Sequence, residues 1–138
     1  MIVDLRGDTV TLPTDAMRIA MATAPLGDNV LEHDPTTEKL EKIAAEMTGK
    51  EAALLVPSGT MGNQIALATH TRPGDSALFE DQAHMVFYEG GAPAVIAGVL
   101  ARGIPTEDGV LTPELVEPAI LHRSHHTPGT SLICVENT

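Results

Sequence analysis

Short apolar runs of strand length alternate along this chain with segments whose apolar residues repeat at helical spacing. Glu51 to Val56, Ser76 to Glu80 and Ser131 to Val135 are such runs. Ala94 to Ile104, broken by Gly98 and Gly103, supplies one or two more. Helices are expected between them: Thr14 to Ala22, Asp34 to Gly49, Thr60 to His70, around Gln82 to Gly90, and Thr112 to about Leu121. Strands separated by helices pair in parallel and leave helices to cover the sheet, so the expected class is α/β with a largely parallel sheet.

The plainest element is the second helix. Asp34 stands at its N-cap with Pro35 at N1, and Leu40, Ile43, Ala44 and Met47 fall on one face. Glu38 and Lys42 make a favourable i,i+4 pair on the wet side, and Gly49 closes the helix. Residues 1–13 read as an extended arm. Residues 1–30 form an arm with a short helix, and 31–138 form the body.

Aromatic residues make up only 2% of the chain, so the core must be aliphatic, which suits a layered α/β fold. The formal charge of −11 repels phosphate backbones and anionic lipid, so neither nucleic acid nor membrane is an expected partner. Any anionic ligand must then be held locally, by backbone dipoles and a few placed side chains. Cys134, the one cysteine, sits in the apolar run Leu132-Ile133-Cys134-Val135 and reads as a buried strand residue. A chain with no internal disulfide, no signal-type N-terminus and no transmembrane run is expected in the cytoplasm.

Val56-Pro57-Ser58-Gly59-Thr60-Met61-Gly62-Asn63 takes an apolar run into a helix through small residues. A helix N-terminus carries unpaired N–H groups and partial positive charge, and small residues let an anion approach it. Ser58 or Thr60 can also simply cap the helix. Neither the P-loop lysine nor the dinucleotide glycine spacing is present.

Several ordered segments resemble one family. They are Asp4-Leu5-Arg6-Gly7-Asp8-Thr9-Val10-Thr11, Gly27-Asp28 with Asp34-Pro35-Thr36, Gly49-Lys50-Glu51-Ala52-Ala53, Pro57 to Asn63, Gln82-Ala83-His84, Glu89-Gly90-Gly91 and Glu136-Asn137-Thr138. Together the chain resembles the N-terminal part of a threonine aldolase, in the β-eliminating lyase group of fold-type-I pyridoxal-phosphate enzymes. The resemblance implies part of a three-layer α/β/α large domain that binds pyridoxal 5'-phosphate. It also implies a homo-oligomer, dimer or tetramer, that cleaves a β-hydroxy amino acid of the threonine or allo-threonine type to glycine and an aldehyde. Carried over, Ser58, Gly59 and Thr60 hold the cofactor phosphate and His84 stacks on its ring. His84 and His126 stand near the substrate hydroxyl, and Gly7 and Asp8 lie where the substrate carboxylate is held. Glu89 is a candidate substrate-binding carboxylate; taken alone it reads as an exposed charge at a helix end.

Some residues depart from the family pattern. Gly7 replaces a serine that helps hold the substrate carboxylate, and Leu31-Glu32-His33 replaces a Tyr-Gly segment, which bears on substrate choice. His122-Arg123-Ser124-His125-His126 matches no zinc spacing, so no metal is expected. The lysines are Lys39, Lys42 and Lys50, and none stands in the serine-rich context of the family's Schiff-base lysine. The chain is therefore expected to be the N-terminal portion of a longer enzyme and inactive alone. Its cut sheet edges should drive self-association or poor solubility. The other reading is a truncated, non-catalytic module that binds phosphate ligands or pairs with a partner chain.

Overall fold

The computed structural model describes residues 3–4 and 7–136, with Asp8 described by its backbone alone. The chain forms two compact units, Met1–Leu55 and Val56–Thr138.

The first unit is helical. A 3-10 turn at Asp8–Val10 interrupts the expected extended arm. Helix α1 spans Asp15–Thr23, and the Thr14 hydroxyl accepts the Met17 N–H at 3.2 Å. Helix α2 spans Pro35–Thr48. Asp34 Oδ1 accepts the N–H groups of Thr36 and Thr37 at 2.9 and 3.2 Å, satisfying donors that the first turn leaves unpaired. Gly49 ends α2 at φ 65°, a left-handed conformation costly for a residue with a Cβ, and its N–H closes on the carbonyls of Ala45 and Glu46.

The expected strand at 51–56 is absent. A strand exists only through a ladder partner. Among the described residues this run pairs with none, and the Leu55 N–H is taken by Glu41 Oε1 at 2.7 Å.

The second unit is an α/β layer structure. Its sheet has order β2-β1-β3 and is entirely parallel. Strand β1 spans Ser76–Glu80, β2 Leu100–Ile104 and β3 Thr130–Ile133. Ser76 through Phe79 have no exposed surface, as expected for a central strand covered on both faces. Helix α3, Gly59–His70, packs on one face through Leu67. There Leu67, Ala77, Phe79, Ala83, Ala97 and Val99 form the core, flanked by Met85, Val86, Leu132 and Cys134. On the other face Arg102 pairs with Leu78 in the ladder, and its Nη1 donates to the Ala119 carbonyl at 2.6 Å. That bond brings in the segment after helix α6, Pro113–Val116, which continues as a 3-10 turn, Glu117–Ala119.

The expected helix around Gln82 to Gly90 is two short ones, α4 at His84–Phe87 and α5 at Ala92–Val95. Gly90 and Gly91 separate them at φ 62° and 73°, a left-handed pair that no helix continues through. Helix α5 occupies the start of the 94–104 run, so only its last five residues are strand. Among the described residues no helix is long and apolar enough to cross a membrane.

Candidate active site

The site is built where α3 begins and β1 ends. The residue before α3 is Ser58, whose Oγ accepts the Met61 N–H at 3.1 Å while its carbonyl accepts the Gly62 N–H, also at 3.1 Å. The N–H groups of Gly59 and Thr60 have no partner among the described residues. Ser58, Gly59 and Thr60 are all exposed, and a Cβ placed on Gly59 would meet no atom within 4 Å. Two free donors at the positive end of a helix, with open space before them, suit an anion. The Ser58 hydroxyl acts here as a cap, and it keeps its own proton free to donate.

One turn further on, Asn63 and Gln64 face a buried carboxylate. Asn63 Nδ2 donates to Glu89 Oε1 at 2.7 Å, and Gln64 Nε2 makes a short hydrogen bond to Glu89 Oε2. His84 Nδ1 lies 3.0 Å from Glu89 Oε1. The Glu89 side chain has no exposed surface, whereas the His84 side chain is half exposed. This corrects the expectation of Glu89 as an exposed charge at a helix end. Burial pushes its carboxyl upward, but hydrogen bonds from Asn63, Gln64 and His84, with the imidazole's charge, outweigh that and hold it below the usual glutamate range. Glu89 is therefore an ionised acceptor, and three donors occupy most of its roughly four lone-pair positions.

His84 opens α4. No side chain of that helix caps it, and Glu136 Oε2 takes the His84 backbone N–H at 2.9 Å. Glu136 lies just past β3, so this bond ties the end of β3 to the start of α4. Asn137 and Thr138 of the same motif lie outside the described residues. Tyr88 sits beside the histidine, with ring centroids 5.6 Å apart at 36°. His84, Tyr88, Glu80, Thr106 and Glu136 line a cavity of about 400 Å³.

The structure brings together Ser58, Gly59, Thr60, His84 and Glu89 through α3. It places His126 elsewhere. Its loop precedes β3, where the Ser76 N–H meets the Gly129 carbonyl and Arg123 pairs with Asp75, at the N-terminal end of the parallel sheet. His84 follows the C-terminal end of β1. The five residues of β1 put about 16 Å between those ends. His126 is exposed, and its backbone N–H bonds to Ser124 Oγ at 3.2 Å. Gly7 is exposed in the first unit beside the 3-10 turn that Asp8 opens. The Asp8 side chain and the motif residues Leu5 and Arg6 lie outside the described residues. Among the described residues no cluster of His, Cys, Asp and Glu could hold a metal ion.

Asn63 and Gln64 were missed as site residues. The available signal was Gln64, a polar residue three positions before Leu67 on the core-facing side of α3.

Residues 4–138 match the family model described as beta-eliminating lyase. The chain is 49% identical to low-specificity L-threonine aldolase 1 of Arabidopsis thaliana over 140 residues, 99% of this chain and 39% of that one. It is 44% identical to the probable low-specificity L-threonine aldolase of Schizosaccharomyces pombe, covering 98% of this chain and 37% of that one. It is 40% identical to the low specificity L-threonine aldolase of Escherichia coli (strain K12), covering 99% of this chain and 41% of that one. The chain thus spans about two fifths of the length of these curated relatives. With a family match across nearly its whole length, the chain belongs to the beta-eliminating lyase family.

Proposed function

We propose that this chain supplies the phosphate-binding and ring-binding part of a pyridoxal 5'-phosphate lyase. That enzyme would cleave a β-hydroxy amino acid of the threonine or allo-threonine type to glycine and an aldehyde. The observation that carries the reading is the link between two features: the free N–H groups of Gly59 and Thr60 and the His84 ring are joined through Asn63, Gln64 and Glu89 of one packed unit.

The residues present fit the phosphate end of the cofactor. Gly59 and Thr60 would donate backbone N–H groups to it, and Ser58 would add its hydroxyl proton while still accepting from Met61. His84 would hold the cofactor ring and, through its outer ring nitrogen, take the proton of the substrate hydroxyl. When bound, pyridoxal phosphate supplies an electron sink for the bond that breaks. The lysine that anchors such a cofactor has no counterpart in Val56–Thr138, where no lysine occurs. No turnover is therefore expected of the 138-residue chain alone. The substrate-carboxylate role that the family resemblance implies for Gly7 and Asp8 is part of this reading. His126, at the other end of the sheet from His84, would contact substrate only in the site of a second copy, consistent with a homo-oligomer. In this reading the whole enzyme is cytoplasmic.

The test is a chimera. This chain replaces the matched segment of the Escherichia coli relative, and threonine cleavage is followed by equimolar glycine and acetaldehyde. Cleavage that is lost on His84→Phe supports the reading. A folded chimera that binds pyridoxal phosphate yet leaves threonine and allo-threonine intact would sink it.

A further inference from the structure

Glu89 has a defined partner set but no exposed atom from which to meet a substrate. Its two oxygens are held from α3 by Asn63 and Gln64, and its remaining donor is His84 Nδ1. An ionised carboxylate only accepts, so the proton of that contact resides on Nδ1. The same logic fixes both amides: turning either one would set a carbonyl oxygen against the carboxylate. Gln64 bears the consequence, since its Oε1 is buried with no hydrogen-bond partner. A polar atom left unsatisfied in a buried site is costly and is tolerated where the arrangement it supports is needed.

We propose that Glu89 is a positioning residue. Through Asn63 and Gln64 it fixes the His84 ring relative to the first turn of α3 and holds the imidazole as the Nδ1–H tautomer, leaving Nε2 as the free acceptor. The inference deepens the reading above and rests on it for what Nε2 does, while the tautomer itself rests on geometry within one unit. A histidine free in water favours the opposite, Nε2–H, form. A charged acceptor at hydrogen-bond distance from Nδ1 reverses that preference, and an excess of Nδ1–H of about tenfold or more is expected. The consequence for a proton-transfer group is direct. In the neutral ring Nε2 is then the nitrogen that can take a proton, and its position is set by the helix that also presents Gly59 and Thr60.

The test needs neither cofactor nor turnover. Two-bond ¹H–¹⁵N correlation spectra of the imidazole side chains, recorded on the 138-residue chain above the histidine titration range, identify which His84 nitrogen carries the proton. The proposal expects Nδ1–H in the wild-type chain and a return toward Nε2–H in Glu89→Gln, which removes the charge while keeping the size. If the wild-type chain shows Nε2–H, the proposal is overturned, whether or not the variant folds. A folded Glu89→Gln with an unchanged tautomer overturns it as well. The chimera assay fails or succeeds independently of this spectrum. An inactive chimera with an Nδ1–H His84 condemns the functional reading alone, and an active one with an Nε2–H His84 condemns the positioning role alone.

Discussion

Gly59→Ala separates the two uses of the α3 N-terminus by the sign of its effects. Gly59 is the first residue of the helix, its φ is not positive, and an added Cβ meets nothing within 4 Å. Nothing in the folded protein therefore opposes an alanine. The substitution removes conformational freedom from the unfolded chain, which stabilises by about 0.4–1 kcal/mol. For a unit of this size that raises the unfolding midpoint by about 2–8 °C. Phosphate binding should respond in the opposite direction. The empty space in front of the Gly59 and Thr60 N–H groups is where an oxygen of the ligand would sit, and a methyl group there crowds it. Losing one hydrogen bond to a charged group costs about 1.5–3 kcal/mol, or about 10- to 100-fold in affinity.

The assay pairs a thermal melt by circular dichroism with titration of pyridoxamine 5'-phosphate. That ligand carries the phosphate but forms no imine with Lys39, Lys42 or Lys50. Tyr88 is the only tyrosine and the chain has no tryptophan, so its emission reports on the space beside His84. A variant that melts higher and binds more weakly is the expected result. A variant that binds as well as wild type, or that melts lower, would refute the reasoning about this corner.

Three further outcomes are expected. Phe79→Ala should cost about 3–5 kcal/mol in urea unfolding, because Phe79 is fully buried at the centre of the core cluster; a loss under 1 kcal/mol would mean that the core is not packed as described. Burial pushes the Cys134 thiol up to about 11, so alkylation by a thiol reagent at pH 8 should run well below the rate of an unfolded cysteine and recover on denaturation. The Asp75 carboxyl is held below its ordinary range, first by the Arg72 backbone N–H and then by the Arg123 side chain. Because the folded value is depressed, its contribution is present above the unfolded carboxylate value near pH 3.9 and is lost as pH falls through the lower folded value. Arg123→Ala should therefore flatten the stability–pH curve below about pH 4, and an unchanged acid limb would contradict that assignment.

How far the sequence could be read depended on whether the deciding interactions were local. Helix α2 was legible because Asp34, Pro35 and Gly49 act within a turn of themselves. The helix start at Ser58 and the strands at 76–80 and 131–133 were legible for similar reasons, and the parallel sheet followed from their alternation with helices. The run at 51–56 has strand composition, but a strand is made by its neighbour, and none of the described residues pairs with it. The break between α4 and α5 hung on two adjacent glycines that helical spacing alone does not weigh. Glu89 was opaque for a different reason. Its burial is decided by Asn63 and Gln64, 26 and 25 positions earlier, so no local pattern distinguishes it from a solvated helix-end charge. His126 was placed by counting along the chain, and counting does not say at which end of a sheet a loop lies.

The most direct test of the site follows the backbone amides of Gly59 and Thr60 by ¹H–¹⁵N spectroscopy as pyridoxamine 5'-phosphate is added, with phosphate-free pyridoxamine as the control. If the α3 N-terminus is the phosphate cup, both amides shift with the phosphorylated ligand, the His84 ring resonances move in the same titration, and the control leaves Gly59 and Thr60 in place. Shifts elsewhere with these two amides unmoved, or equal shifts with both ligands, would contradict it.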